Sequence, residues 1–141
     1  MVNLIATRSN LHKAAFRNIR TCLVSNVTDV GTRVYSSYPL TNINYPLITI
    51  SNGSREITNI TLSLVNEDSV IVLIKVFSKT SEKLDTYVDE IWSLIEGYRN
   101  TFKSYNLELP LDGIDDVDDF EFTDLKNNRI HAKTIAVTLR L

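Results

Sequence analysis

Cysteine is almost missing from this chain, and so are the patterns that usually mark an enzyme. Cys22 is the only cysteine among 141 residues, which excludes a disulfide within the chain and a zinc site of paired cysteines. The four glycines form no phosphate-binding loop, and the two histidines, His12 and His131, belong to no HExxH motif or nucleophile elbow. We therefore expect no enzyme and no cofactor, and we interpret Cys22 as a small buried apolar side chain.

Long apolar runs are missing too. No stretch approaches the roughly 18 residues of a membrane span, and the apolar run at the start of the sequence is too short for a signal peptide. We expect a protein that is made in the cytosol and makes no membrane contact. An excess of one charge is also lacking, since 15 Lys and Arg against 17 Asp and Glu give a net charge of −2. That balance indicates no dedicated nucleic-acid or acidic partner.

The residues that are present suit a single globular domain, 1–141, because 43% are hydrophobic and 23% are charged. Apolar residues three and four positions apart predict two main helices, over about 10–25 and about 81–105. Ser9 is a plausible N-cap for the first, and Thr80 or Ser81 for the second. The apolar stripes are Leu11, Ala15, Phe16, Ile19, Cys22 and Leu23 in the first helix, and Leu84, Val88, Ile91, Ile95, Tyr98, Phe102 and Tyr105 in the second.

Strands are predicted over about 34–38, 46–51, 57–65, 70–78 and 129–140. Asn52-Gly53 is expected to turn the second strand back into the third, since both residues tolerate a positive φ. A polar turn is expected at 66–69, and an acidic loop at 112–124. The predicted fold is α+β: an antiparallel or mixed sheet of four to six strands with two main helices packed on one face.

The strand over 70–78 is apolar on both faces, which places it in the middle of the sheet. Two helices can cover one of those faces, so the face that carries Leu73 and Phe77 needs another cover. Either the chain supplies it, from its own 34–46 loop or C-terminal strand, or a second subunit does. We favour the second subunit.

Four aspartates, Asp115, Asp116, Asp118 and Asp119, are weak candidate ligands for calcium, which prefers several carboxylate oxygens. The spacing does not fit an EF-hand loop. The alternatives are a solvated loop that runs into a strand with Phe120 and Phe122 inward, or an acidic segment that faces a basic patch of a neighbouring subunit or lines a channel for DNA.

A basic surface on the first helix and after it would comprise Lys13, Arg17, Arg20 and Arg33. It is either a nucleic-acid surface or a solvated helix face, and the lack of interleaved exposed aromatic residues favours the solvated face.

The order of elements resembles a known family. An amphipathic helix precedes a loop with Val34-Tyr35-Ser36-Ser37-Tyr38-Pro39 and Tyr45-Pro46-Leu47-Ile48-Thr49-Ile50, and Val72-Leu73-Ile74-Lys75-Val76-Phe77-Ser78-Lys79 leads straight into the helix with Leu84-Asp85-Thr86-Tyr87-Val88. This arrangement is similar to the tail-completion proteins of long-tailed bacteriophages, also called tail terminators or tail-to-head joining proteins.

The resemblance implies a structural virion protein of the tail or neck, assembled in the host cytoplasm as a hexameric ring. Such a ring caps the tail tube and docks the tail to the head connector, while DNA passes through its lumen without sequence-specific binding. The expected subunit or partner contacts are Tyr35, Tyr38, Tyr45, Leu73, Phe77, Trp92, Arg17 and Arg20. The alternatives are another ring protein of the head–tail connector or neck, and a small ligand-binding α+β domain.

Overall fold

A computed structural model describes residues 3–59 and 66–141 of the chain. Its helices are α1 (Leu11–Leu23), α2 (Ser81–Gly97) and α3 (Arg99–Ser104), and its strands are β1 (Val34–Tyr35), β2 (Leu47–Asn59), β3 (Asn66–Ser78), β4 (Ile114–Thr123) and β5 (Arg129–Arg140). The strands form one sheet in the order β1-β2-β3-β5-β4. Since β1 is parallel to β2 and the other pairs are antiparallel, the sheet is mixed and the predicted α+β fold is confirmed.

The central strand is β3, as its apolar sequence predicted. Its residues Val70, Val72, Ile74 and Val76 are fully buried against the helices, in a core that extends to both neighbouring strands. We call this side of the sheet the helix face and the opposite side the second face. Both long helices contribute to the helix-face core, which also confirms that they pack on one side.

The first long helix begins at Leu11, with Asn10 rather than the predicted Ser9 at the N-cap position. Asn18 is buried in the middle of its apolar stripe, where its side-chain amide donates to the carbonyls of Leu4 at 2.9 Å and Ala14 at 2.7 Å. The bond to Leu4 fixes the segment that precedes the helix. No helix of the described residues is long and apolar enough to cross a membrane.

The predicted turn at Asn52-Gly53 is wrong. β2 runs through both residues and on to Asn59, with an irregularity in its pairing to β3 between Asn52 and Arg55. The predicted turn at 66–69 is wrong as well, because β3 begins at Asn66. The predicted alternation of Ile60, Leu62 and Leu64 lies outside the described residues.

Three further predicted bounds differ from the structure. The predicted 34–38 strand contains only the two residues of β1. The helix predicted over 81–105 is interrupted at Tyr98 (φ −89°, ψ 0°), which separates α2 from α3, whereas its predicted Thr80 cap is present and accepts a hydrogen bond from the Lys83 amide. The acidic loop predicted over 112–124 is mostly a strand, β4, which forms one edge of the sheet.

Candidate assembly surfaces

One half of the second face is covered by the chain itself. Phe77, only 5% exposed, forms a small apolar cluster with Leu47, Ile130 and Ala132. The loop over residues 36–46 lies on this cluster, with the Tyr38 ring centroid 5.1 Å from that of Phe77. The sequence left two alternatives for the cover of this face, the chain's own loop or a second subunit. In this half the chain's own loop is the cover.

The other half of the second face is more open. Ile71 and Leu73 of β3 point to it, stay partly exposed and belong to neither buried cluster. In the sheet register, Leu73 is opposite Ser51 on β2 and Ala136 on β5, and small side chains such as these shield it little. We call Ile71, Leu73 and Ala136 the open half-face.

A cleft of about 520 Å³ lies at one end of the sheet, between the 36–46 loop and the β4–β5 turn. Leu40 on one side is 91% exposed and Leu125 on the other is 99% exposed, so two apolar tips flank it. We call it the leucine cleft. Neither leucine was among the residues predicted from the sequence, although each is an isolated apolar residue in a polar turn.

Hydrogen bonds to one carboxylate hold the leucine cleft together. Asp124 accepts from the amides of Lys126 and Asn128 at 3.0 and 2.8 Å, which shapes the β4–β5 turn, and from the Tyr45 hydroxyl at 3.2 Å. Burial and the hydrogen bond with Tyr38 raise the pKa of Tyr45 well above its usual value, so its hydroxyl stays protonated and donates. Burial alone would raise the pKa of Asp124, but the donors from Asn128, Tyr45 and Lys126 lower it.

The edge strand β4 presents the acidic side chains to solvent. Asp115 and Asp118 lie on the second face, since they pair with Ala136 and Thr134, whereas Asp116 and Asp119 lie on the helix face. The four candidate calcium ligands are therefore divided between two faces. No group of three or more metal-ligating side chains occurs in the described part of the chain.

Trp92 links α2 to this acidic edge. It is half-buried against the helix-face core, and its indole nitrogen donates to Asp116 Oδ1 at 3.3 Å. Trp92 therefore covers part of this sheet edge, and its contact with a partner stays a prediction.

The basic residues of α1 lie on its outer side. Lys13 is exposed and Arg17 is half-buried, opposite the buried stripe of the helix. Arg20 instead donates through Nε to the Val34 carbonyl at 3.3 Å, and Arg33 donates to the Pro46 carbonyl at 3.0 Å. Two members of the predicted basic surface therefore serve the fold of this chain.

The other predicted contact residues lie together. Tyr35, Tyr38, Tyr45 and Phe77 all belong to the small cluster on the second face, and Leu73 lies beyond it on the open half-face. Their contact with a partner stays a prediction, as it does for Arg17 and Arg20.

A second cleft, of about 490 Å³, lies between the start of α2 and strands β4 and β5. Lys133 pairs there with Asp85 at 2.8 Å, and His131 Nδ1 lies 3.2 Å from Glu121 Oε1.

Cys22 is buried, as interpreted from the sequence, and burial raises the pKa of its thiol to about 12, which makes it a poor nucleophile.

Comparisons with known proteins give a structural likeness but no sequence match. No protein-family model matches the chain, and no curated protein does. Among the solved structures, a chain from the virion of a native gene transfer agent particle matches with 10% identity and a TM-score of 0.41, over 93% of this chain and 95% of that one. At this TM-score the likeness establishes neither a common fold nor a function.

Proposed function

We propose that this protein is a structural subunit of a phage-like virion and that it works by assembling with copies of itself and with neighbouring virion proteins. The observation that carries the proposal is the open half-face. The 36–46 loop covers the Phe77 half of the second face but leaves Ile71 and Leu73 partly exposed on the central strand. An apolar sheet surface of this kind gains free energy when a partner removes it from water.

More specifically, we place the chain among the ring-forming tail terminator or tail-to-head joining proteins. The support is the order of elements: an amphipathic helix, a loop with paired tyrosines, a hairpin, and a central strand that leads through Ser78-Lys79 into a long helix. Such a subunit would form a hexameric ring in the tail or neck, with DNA passing through the lumen without sequence-specific contacts.

A terminator needs two axial surfaces, one for the tail tube and one for the head connector, and the chain has two exposed apolar poles. Leu125 follows β4 at one end, beside Leu40, whereas Leu111 precedes β4 at the other and is 96% exposed. A ten-residue strand separates the poles by roughly 30 Å. Each pole is therefore able to contact a different neighbour.

Two other functions have a specific basis. Another ring protein of the head–tail connector would use the same surfaces with a different neighbour. A small ligand-binding domain would use the cleft that contains Lys133, Asp85 and Glu121. Open clefts lined by charged, ion-paired side chains suit a small ligand less well than a mostly apolar, enclosed pocket does.

The Leu73→Asp variant tests the proposal. Leu73 lies outside both buried clusters, so the monomer should keep its fold, whereas a carboxylate in a subunit contact should prevent assembly. Sedimentation velocity should give wild-type particles at a multiple of 16.0 kDa and a folded monomer for the variant. Ser93→Asp, at an exposed site on α2, is the control and should assemble.

Co-sedimentation with purified tail tubes distinguishes the terminator from another neck ring. A terminator should pellet with tubes and stop their further growth, and the Leu125→Asp and Leu111→Asp variants should show which pole meets the tube. A folded, fully assembling Leu73→Asp protein would contradict the role of the open half-face.

A further inference from the structure

Opposite charges lie on two separate surfaces of the fold, the edge strand β4 and the outer side of helix α1. β4, the edge strand at one end, has five exposed carboxylate residues: Asp115, Asp116, Asp118, Asp119 and Glu121. Helix α1 packs instead on β2 and the central strand β3, and it carries basic side chains on its outer side. Strand β5 separates β4 from the strands that α1 covers, which keeps the two surfaces apart within one copy.

From this arrangement we infer that the acidic edge strand β4 of one copy docks against the basic outer side of α1 in the next copy. The inference rests on the proposed self-assembly and names the lateral contact of the ring. A contact between two different surfaces of identical subunits is heterologous, and it produces a ring when the rotation closes.

The carboxylates of β4 are available for such a contact. Within the described residues, Asp115 and Asp118 make no ion pair, whereas Asp119 lies opposite Lys133 and Glu121 pairs with Arg129. Val117 and Phe120 on the same strand are 54% and 38% exposed, so the edge offers apolar surface between its charges. Such a combination of apolar and charged side chains is typical of protein interfaces, which have an apolar centre and a polar rim.

The spacing of the opposing charges also matches. Lys13 and Arg17 are four residues apart on the outer side of α1, which separates them by about 6 Å along the helix axis. Asp115 and Asp118 are opposite Ala136 and Thr134, which are two residues apart on β5, and this step is roughly 6.6 Å along a strand. Neighbouring carboxylates on one face of β4 therefore match neighbouring cations along α1.

The sign of the edge charge also opposes a competing contact. An exposed edge strand offers unpaired backbone groups to another edge, and two copies of β4 would otherwise extend the sheet symmetrically. Because β4 is acidic along its length, that pairing would place like charges opposite each other. The acidic charge thus disfavours a contact between the β4 strands of two copies and favours a contact between β4 of one copy and α1 of the next.

Charge reversal on either surface tests the inference. Asp115→Lys with Asp118→Lys makes β4 basic, and Lys13→Glu with Arg17→Glu makes α1 acidic. Each double variant alone should weaken self-association by more than about tenfold, because like charges would then meet at the contact. Mixed in equal amounts, the two variants should assemble again, since the basic β4 of one meets the acidic α1 of the other.

Matched controls change the same charge elsewhere. Glu82→Lys with Asp89→Lys on α2 matches the β4 variant, and Lys83→Glu with Lys103→Glu matches the α1 variant, all at exposed positions. The controls should associate like the wild type, and circular dichroism should show that all four proteins are folded. Wild-type association should also weaken as NaCl is raised.

The outcomes separate the inference from the proposed function. If the wild type assembles and both double variants assemble as strongly, or if mixing them restores nothing, the β4–α1 contact is wrong while the assembly proposal stands. If the wild type stays monomeric alone and with tail tubes, both are overturned.

Discussion

The Tyr45 hydroxyl donates a hydrogen bond to Asp124 Oδ2 at 3.2 Å and so joins the 36–46 loop to the β4–β5 turn. The two residues are 79 positions apart in the chain, and each belongs to one wall of the leucine cleft. Tyr45 also forms a hydrogen bond with Tyr38, whose ring lies on Phe77. The cleft is therefore attached to the cluster on the second face.

Tyr45→Phe removes both hydrogen bonds and keeps the ring. We expect a folded protein with a lower melting temperature and faster hydrogen exchange at the amides of residues 40–45 and 125–128, because the two walls are no longer joined. Exchange mass spectrometry measures this directly. Tyr105→Phe, a half-buried tyrosine at the end of α3, is the control; unchanged exchange in Tyr45→Phe would disprove the link.

Phe77→Ala tests the cover of the second face. Phe77 is 5% exposed and contacts the rings of Tyr38, Phe120 and Phe122, so its truncation should lower the free energy of unfolding by about 3–5 kcal/mol. Phe120 is 38% exposed on the same face, and Phe120→Ala should cost only about 1 kcal/mol. Urea unfolding compares the two; equal losses would mean that the loop does not bury Phe77.

Asn18→Ala tests the buried amide in α1. The change removes two donated hydrogen bonds and leaves the Leu4 carbonyl without its partner, so we expect a loss of about 1–3 kcal/mol in the free energy of unfolding. Asn26 makes a similar bond to the Cys22 carbonyl at 2.9 Å but is exposed, and Asn26→Ala should cost less than about 1 kcal/mol. An Asn18→Ala protein as stable as the wild type would contradict this reading of the amide.

Acid should destabilise the chain partly through Asp68, which is 2% exposed and pairs with Arg55. Hydrogen bonds from Arg55 lower the pKa of Asp68 against the opposing effect of burial. In the unfolded chain the carboxyl titrates near 3.8, so below that pH the unfolded state binds more protons and the folded state loses stability.

The variant Arg55→Gln removes the cause of that shift. The difference in free energy of unfolding between wild type and variant should be largest above pH 3.8 and shrink as the pH falls toward the lowered pKa of Asp68. Urea unfolding at several pH values measures it. A difference that stays constant from neutral to acid pH would disprove the coupling.

Periodicity predicted the parts of the fold that are set by local burial. The central position of β3, the apolar face of α1 and the strand at the C-terminus all follow from alternation or from three- and four-residue spacing. Those patterns indicate which side of a helix or strand is buried, whichever element packs against that side.

Two of the predictions that were wrong, the turn at Asn52-Gly53 and the acidic loop, concern segments whose structure depends on long-range contacts. Asn52-Gly53 resembles a turn, but a Cβ at Gly53 would lie 3.2 Å from the Ile71 carbonyl oxygen, so the glycine serves close backbone approach between β2 and β3. The acidic segment was predicted as a loop because aspartate is rare in strands. At a sheet edge its carboxylates stay in water, and only residues such as Ile114 and Phe122 need burial.

The surfaces were the least predictable part. The apolar second face was evident from β3, yet its division into a covered and an open half depends on how the 36–46 loop folds over Phe77. Leu40 and Leu125 became notable only when the fold brought their turns together.

The most direct test of the central claim is the mass of the wild-type particle, measured by sedimentation with and without purified tail tubes. We predict a ring whose mass is a multiple of 16.0 kDa, formed alone or on the tubes, and a Leu73→Asp protein that stays monomeric in both conditions. A wild-type protein that is monomeric in both conditions would contradict the account.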